Sequence, residues 1–329
     1  MLYFSNERIK NFLESFFEKP KEDQSLEIQS LLFQGEKNLG KFTLAYNFAK
    51  TILCLKEKKV WGGCGNCISC QLIDKNIHPD LKIINTPLDT ISIDEIRGNE
   101  EKNIEGIIQF LSFYPQIADL RIAIINEAEK MNAEAQNAFL KTLEEPPPKS
   151  LIILITSQPE KLYKTLISRL LILKFHRSPK DKLIKYLKKE YLIDENQAFK
   201  IVKESNGKIG LAINLLDKSF VKEREDYWRD FLTLMKSDFS SHSVYLENLL
   251  KKIKEKKEEK EGKETEEIRK ILSIWLEKLE KEVKKENNDL SISQEKKIKI
   301  TKELLNAYEI ISYSNVNIQL LLENTFLLV

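Results

Sequence analysis

Five short apolar runs punctuate the chain: Leu31 to Gln34, Leu81 to Asn85, Arg121 to Ile125, Leu151 to Thr156 and Leu171 to Phe175. Each is too short for an interior helix and reads as a strand buried on both faces, the pattern of a parallel sheet. Helical stretches lie between them, and this alternation predicts an α/β core over residues 1–175. After His176 the chain turns helical and charged, with Pro179 and Asn206-Gly207 as breakers, which predicts a small helical domain over 176–217. From Phe220 onward the pattern is helical throughout, giving a third, all-α domain over 218–329. Its apolar stripes (Trp228, Phe231, Leu232 and Leu234; Ile271, Leu272, Ile274, Trp275, Leu276 and Leu279) recur at mixed spacings of three and four and read as plain core. The mixed-sign block from Lys251 to Lys270, with Gly262 inside it, reads as a solvated helix or loop.

Composition narrows the function. With 329 residues, 42% of them hydrophobic, the chain is long enough for two or three domains with real cores. Lys and Arg number 53 against 51 Asp and Glu, a formal charge of +2, which argues against a protein that binds DNA mainly through its surface field. No apolar run approaches the ~20 residues of a membrane span, and the opening Met1 to Glu7 lacks a basic stretch feeding a signal core, so a soluble, cytoplasmic protein is expected.

All four cysteines fall in one short stretch, Cys54, Cys64, Cys67 and Cys70, spaced C-x9-C-x2-C-x2-C with Gly62, Gly63 and Gly65 among them. Glycine permits the tight turns that aim several thiolates at one tetrahedral centre, and the spacing points to a structural zinc site with four thiolate ligands. Disulfides, or four unrelated thiols, are the alternatives. A catalytic zinc would need a position open to water, which four thiolates leave no room for.

The segment Gly35-Glu36-Lys37-Asn38-Leu39-Gly40-Lys41 has the spacing of a phosphate-binding loop, between a strand and a helix expected from Phe42 to Leu53. The residue that should supply the metal-ligating hydroxyl is Phe42, and a phenyl ring cannot hold a hard cation. The run Ile122 to Ile125 then leads into Asn126-Glu127 where an active site of this class carries Asp-Glu. Glycine turns before helices also arise from packing alone.

With these elements placed, the chain resembles the bacterial DNA polymerase III clamp-loader subunits, AAA+ proteins of the δ′ and γ/τ type. The resemblance rests on Ile124-Ile125-Asn126-Glu127-Ala128-Glu129-Lys130-Met131, on Ala135 to Leu143 with the following Glu144-Glu145-Pro146-Pro147, on the four cysteines and on His78-Pro79-Asp80. It covers roughly residues 25–215. It implies an AAA+ core with an inserted zinc module at 54–70, a helical lid, and a C-terminal collar that joins subunits into a ring.

The departures carry as much as the matches. An active member of the family places an arginine on the γ-phosphate where this chain has Gly210. Phe42, Asn126 and Gly210 are then three independent losses around one nucleotide, and ATP binding is expected to be weak or absent despite Gly35, Gly40 and Lys41. Thr43 does not replace the hydroxyl, because adjacent helical residues point about 100° apart. Glu36 would add negative charge near the phosphates. Thr156 and Ser157 match the family's phosphate-sensing position.

Ser168-Arg169-Leu170 resembles the family's Ser-Arg-Cys motif, whose arginine enters the neighbouring subunit's ATP site. The alternative for Arg169 is a surface salt bridge of little energetic weight. The resemblance implies a non-hydrolysing δ′-type component of the DNA polymerase III holoenzyme. Its partners would be γ/τ and δ subunits in a hetero-pentameric ring, and through that ring the sliding clamp and primer-template DNA. The rivals are an ATP-hydrolysing γ/τ-type motor and a zinc-dependent nucleic-acid-binding module. Phe42 and Asn126 argue against the first, and the balanced charge argues against the second.

Overall fold

The computed structural model describes residues 6–18, 30–86, 90–235, 244–251, 263–284, 290, 292–313 and 317–327. The described residues up to Leu216 form one compact unit and those from Asp217 onward a second.

In the first unit the five apolar runs become five strands, each within one residue of the pattern's ends: β1 (Ser30–Gln34), β2 (Leu81–Ile84), β3 (Arg121–Ile125), β4 (Ser150–Thr156) and β5 (Leu171–Lys174). They form one sheet in the order β2-β3-β4-β1-β5, every neighbouring pair parallel. The helices are α1 (Glu7–Glu18), α2 (Lys41–Leu53), α3 (Ile68–Asp74), α4 (Ile93–Arg97), α5 (Ile107–Ser112), α6 (Ala133–Glu144), α7 (Lys164–Ile167), α8 (Lys180–Tyr191), α9 (Glu195–Ser205) and α10 (Ile209–Asn214).

Strand alternation divides the side chains between two apolar layers. Leu31, Phe33, Ile122, Ile124, Leu151, Ile153 and Ile155 pack with Leu13 of α1 and Leu44 and Phe48 of α2. Leu32, Ala123, Ile125, Ile152 and Leu154 pack with Ile96, Phe110, Phe139 and Leu166 from α4 to α7. All seven residues of β4, a central strand, are buried. Truncating one of these leucines to alanine removes contacts on a face with no water to replace them, a loss of about 2–5 kcal/mol.

Caps set the helix starts. The Asn132 side chain accepts the Ala135 N–H (2.8 Å) at the head of α6, Ser92 and Glu95 form a capping box on α4, and Asp194 accepts the Gln197 N–H (2.8 Å) on α9. The α2 helix begins at Lys41, one residue before the expected Phe42, because Gly40 at φ 81° turns the loop directly into it.

His78-Pro79-Asp80 has a structural job. The Asp80 carboxylate, fully buried, accepts the backbone N–H groups of Gln116 (2.7 Å), Ile117 (2.7 Å) and Ala118 (2.9 Å), fixing the loop before β3. Arg121 lies 3.7 Å from the same carboxylate and donates to the carbonyls of Phe110 (2.7 Å) and Tyr114 (3.1 Å). His78 Nδ1 accepts the Asp80 N–H (3.0 Å), so Nε2 carries the proton toward Ser69 Oγ (2.9 Å). Burial lowers its pKa and keeps it neutral.

The second unit is helical: α11 (Lys218–Leu234), α12 over 244–251, α13 (Lys263–Lys284), α14 (Gln294–Tyr313) and α15 (Ile318–Leu327). Phe231, Leu272, Trp275, Leu279, Leu304 and Phe326 share its core, as the stripes implied, and Trp275 Nε1 donates to the Tyr227 carbonyl (2.8 Å). Of the charge block, Lys251 and residues 263–270 are helical; residues 252–262 lie outside the described residues. Among the described residues no helix is long and apolar enough to cross a membrane.

Candidate functional site

The four cysteines converge. Cys54 follows directly on α2, Cys67 caps α3, and Cys64 and Cys70 lie on either side of that cap. Their sulfurs all lie within 4.8 Å of one another, with Cys54 to Cys67 at 4.0 Å and Cys64 to Cys70 at 3.9 Å. Four thiolates ~2.3 Å from one zinc stand about 3.8 Å apart in a tetrahedron, so this donor set fits zinc, whereas a disulfide would bring two sulfurs to ~2 Å. All four cysteines are unbridged.

Backbone amides turn toward the sulfurs: Cys67 N–H to Cys64 Sγ (3.3 Å) and Cys70 N–H to Cys67 Sγ (3.4 Å). Amide donors from Asn66 and Cys67 pull the Cys64 thiol down to about 6, while burial pushes Cys70 up to about 12. A bound dication overrides such differences by holding every ligating sulfur as thiolate. Gly62, Gly63 and Gly65 take φ of 82°, 76° and 74°, the left-handed turns anticipated from their placement. Two supports were not legible beforehand: Thr51 Oγ1 accepts the Gly62 N–H (2.8 Å), and Lys59 Nζ donates to the carbonyls of Ile52 (3.1 Å) and Cys54.

The phosphate-type loop joins β1 to α2 and borders a cavity of about 290 Å³ lined by Lys37 to Thr43, Asn126, Glu127, Glu129, Ile155, Thr156, Ser157 and Gly210. Gly40, Lys41, Asn126 and Glu127 all line this cavity; Gly35 does not, and its link to the group is its carbonyl, which accepts from Lys41 Nζ. Lys41 is nearly buried, its Nζ donating to the carbonyls of Gly35 (2.5 Å) and Glu36 (2.6 Å), and burial draws its pKa from 10.5 to about 8. Phe42 packs partly into the core beside Tyr46, ring centroids 6.3 Å apart. Asn126 Nδ2 donates to Asn85 Oδ1 (2.8 Å). Burial raises the Glu127 pKa, but Lys37 and Lys130 outweigh it and hold the carboxyl below its usual range. Ser157 donates through both N–H (3.2 Å) and Oγ (2.6 Å) to Glu129 Oε1.

The start of α10 meets this loop. The Gly210 N–H donates to the Asn38 carbonyl (2.8 Å), and a Cβ at 210 would stand 3.1 to 3.3 Å from three Asn38 atoms. Glu36 does not face the cavity as its sequence position suggested. Its carboxylate takes both Nε (2.8 Å) and Nη2 (2.7 Å) of Arg177 and lies 3.2 Å from Lys208 Nζ, partners 141 and more residues away.

Arg169 follows α7 and precedes β5, a strand at the sheet's edge whose Leu171 and Ile172 are exposed. Its guanidinium pairs with Glu144 and donates to the Thr165 carbonyl. The neighbouring Leu170, where the resembling motif has cysteine, is buried in the core.

A family model described as "DNA polymerase III, delta subunit" matches residues 8–179. The DNA polymerase III subunit delta' of Buchnera aphidicola subsp. Schizaphis graminum is 31% identical over 223 residues, covering 68% of this chain and 62% of the relative. The subunit delta' of Bacillus subtilis is 35% identical over 147 residues (44% and 41%). The subunit gamma of Buchnera aphidicola subsp. Acyrthosiphon pisum is 31% identical over 191 residues (56% and 50%). The chain therefore spans less than two thirds of the length of each of these relatives. Its phosphate-type loop, its sheet and its cysteine cluster all lie within the residues that the family model matches, and the chain belongs to the family of DNA polymerase III delta subunits.

Proposed function

We propose that this chain is a δ′-type clamp-loader subunit that does not hydrolyse ATP itself and lends Arg169 to the ATP site of a neighbour. The observation that carries the reading is the state of the phosphate loop's polar groups. Lys41 is turned onto loop carbonyls, the Asn38 carbonyl is taken by Gly210, and Ser157 is taken by Glu129. Phe42 and Asn126 add the loss of a metal-binding hydroxyl and of a carboxylate charge. An active γ/τ-type motor would need the Lys41 ammonium and the Ser157 hydroxyl turned toward Mg²⁺-nucleotide instead.

In this reading residues 1–175 form the AAA+ core, 176–217 the lid and 218–329 the collar that joins γ/τ and δ in a hetero-pentameric ring. The ring acts on the sliding clamp and primer-template DNA. Cys54, Cys64, Cys67 and Cys70 would hold one structural zinc, which ties the end of α2 to α3 and takes no part in chemistry.

The test is reconstitution with partner subunits. The chain alone shows no Mg²⁺-dependent ATP turnover, the complex with it hydrolyses ATP and loads clamps, and Arg169→Ala leaves assembly intact while slowing both. Because a half-buried arginine in a partly exposed ion pair adds little to stability, a loss of turnover without a loss of assembly isolates its action on the neighbour's γ-phosphate. Robust hydrolysis by the isolated chain, abolished by Lys41→Ala, would refute the reading.

A further inference from the structure

We propose that Glu144 is the positioning residue for Arg169, holding the guanidinium aimed outward before a neighbour's nucleotide arrives; this rests on the reading of Arg169 given above. Glu144 is the last residue of α6, where the helix dipole is negative and a carboxylate is locally disfavoured. Its partner in the fold is Arg169, which reaches across from the end of α7. One end of the guanidinium donates to Glu144 on α6 and the other to the Thr165 carbonyl on α7, so the fork is held from two helices at once. Two of its five N–H groups are engaged, leaving three for a phosphate.

Both platforms are rigid. Leu143 and Leu170, the chain neighbours of Glu144 and Arg169, are buried in one core cluster. Gln136 of α6 donates to the Lys161 carbonyl (3.2 Å) and accepts the Tyr163 N–H (2.8 Å), fastening α6 to the segment that leads into α7. The Cα positions of the pair are therefore set by the core, and the ion pair selects the arginine rotamer. An arginine released from such a pair regains much of its side-chain freedom, which must be lost again when it meets a phosphate. The pair does not act as a latch that keeps the finger away. An exposed ion pair is weak, and a nucleotide's several negative charges outcompete one carboxylate.

The experiment measures kcat and KM for ATP hydrolysis by the reconstituted complex containing Arg169→Ala, Glu144→Ala, Glu144→Gln or the Arg169→Ala/Glu144→Ala pair. Glu144→Ala is expected to lower the Arg169-dependent part of kcat by roughly fivefold with KM unchanged, which at 1.4 kcal/mol per tenfold is about 1 kcal/mol of lost preorganisation. Glu144→Gln falls between, since its amide oxygen still accepts the Nη2 hydrogen bond. The double variant is no slower than Arg169→Ala. An unchanged or raised rate with Glu144→Ala, beside a slow Arg169→Ala, overturns the positioning role and leaves the finger standing. A further fall in the Arg169→Ala background, or a loss of assembly with Glu144→Ala, overturns it too, by showing an effect that does not pass through Arg169. Equal rates for Arg169→Ala and the unmodified complex remove the finger itself, and this inference with it.

Discussion

Gly63 and Gly65 offer a matched pair of substitutions in the cysteine cluster. Both sit at nearly the same left-handed backbone angle, φ 76° and 74°, so alanine costs each roughly the same ~1–2 kcal/mol of backbone strain. Their surroundings differ. A Cβ at 65 meets nothing within 4 Å, whereas a Cβ at 63 would stand 2.7 Å from Cys70 Sγ, 2.9 Å from Lys50 Cγ and 3.2 Å from the Lys50 carbonyl. Ordinary contact lies near 3.5–4.0 Å, so the sulfur must retreat by about 1 Å, several times the ~0.2 Å that zinc coordination tolerates. Lys50 cannot make room by moving alone, because its backbone carbonyl is part of the obstacle. Gly63→Ala is thus expected to lower zinc affinity by more than ~100-fold, and Gly65→Ala by less than ~10-fold. Competition against a chelating indicator gives both affinities, and circular dichroism checks that the sheet, with its own core, survives. Equal zinc retention by the two variants would refute the argument, since it would mean that Cys70 is not held against the turn.

Two further substitutions test the scaffold around the sites. Asp80→Asn replaces an acceptor of three backbone amides with a group that must turn N–H donors toward at least one of them, beside a buried arginine; a loss of about 2–4 kcal/mol in denaturant unfolding is expected, and a loss under ~1 kcal/mol would contradict the role assigned to the carboxylate. Glu36→Gln should cost about 0.5–1 kcal/mol at neutral pH, because the pair is partly exposed. The hydrogen bond from Arg177, chiefly, holds the Glu36 carboxyl below its ordinary 4.5. A depressed acid stabilises the fold above its unfolded pKa and loses that contribution as pH falls through the folded value, so the difference in Tm between the two proteins should shrink as pH falls below the ordinary carboxylate range and vanish once Glu36 is protonated in the folded protein; a difference that persists after that protonation would show that Glu36 acts through packing and not charge.

The central strands β1, β3 and β4 were readable in the sequence because a strand buried on both faces must be apolar along nearly its whole length, whereas β2 and β5, at the sheet's edges, carry Lys82 and Lys174 and are only partly buried, contrary to the expectation drawn from their apolar runs. The cysteine cluster was readable because its ligands lie close along the chain, with glycines where the turns need them. The same holds for the loop from Gly35 to Lys41. Glu36 shows where that legibility stops: adjacency to the loop suggested a charge facing the phosphates, yet its carboxylate turns to Arg177 and Lys208. Nothing local marks Gly210 as the residue whose N–H meets Asn38, Glu144 as the partner of Arg169, or Asp80 as the clasp of residues 116–118. Periodicity and spacing report on neighbours in sequence, while these contacts join segments from about 25 to more than 170 residues apart, and which of many similar charges and amides meet is decided only when the sheet and its two apolar layers have brought the segments together.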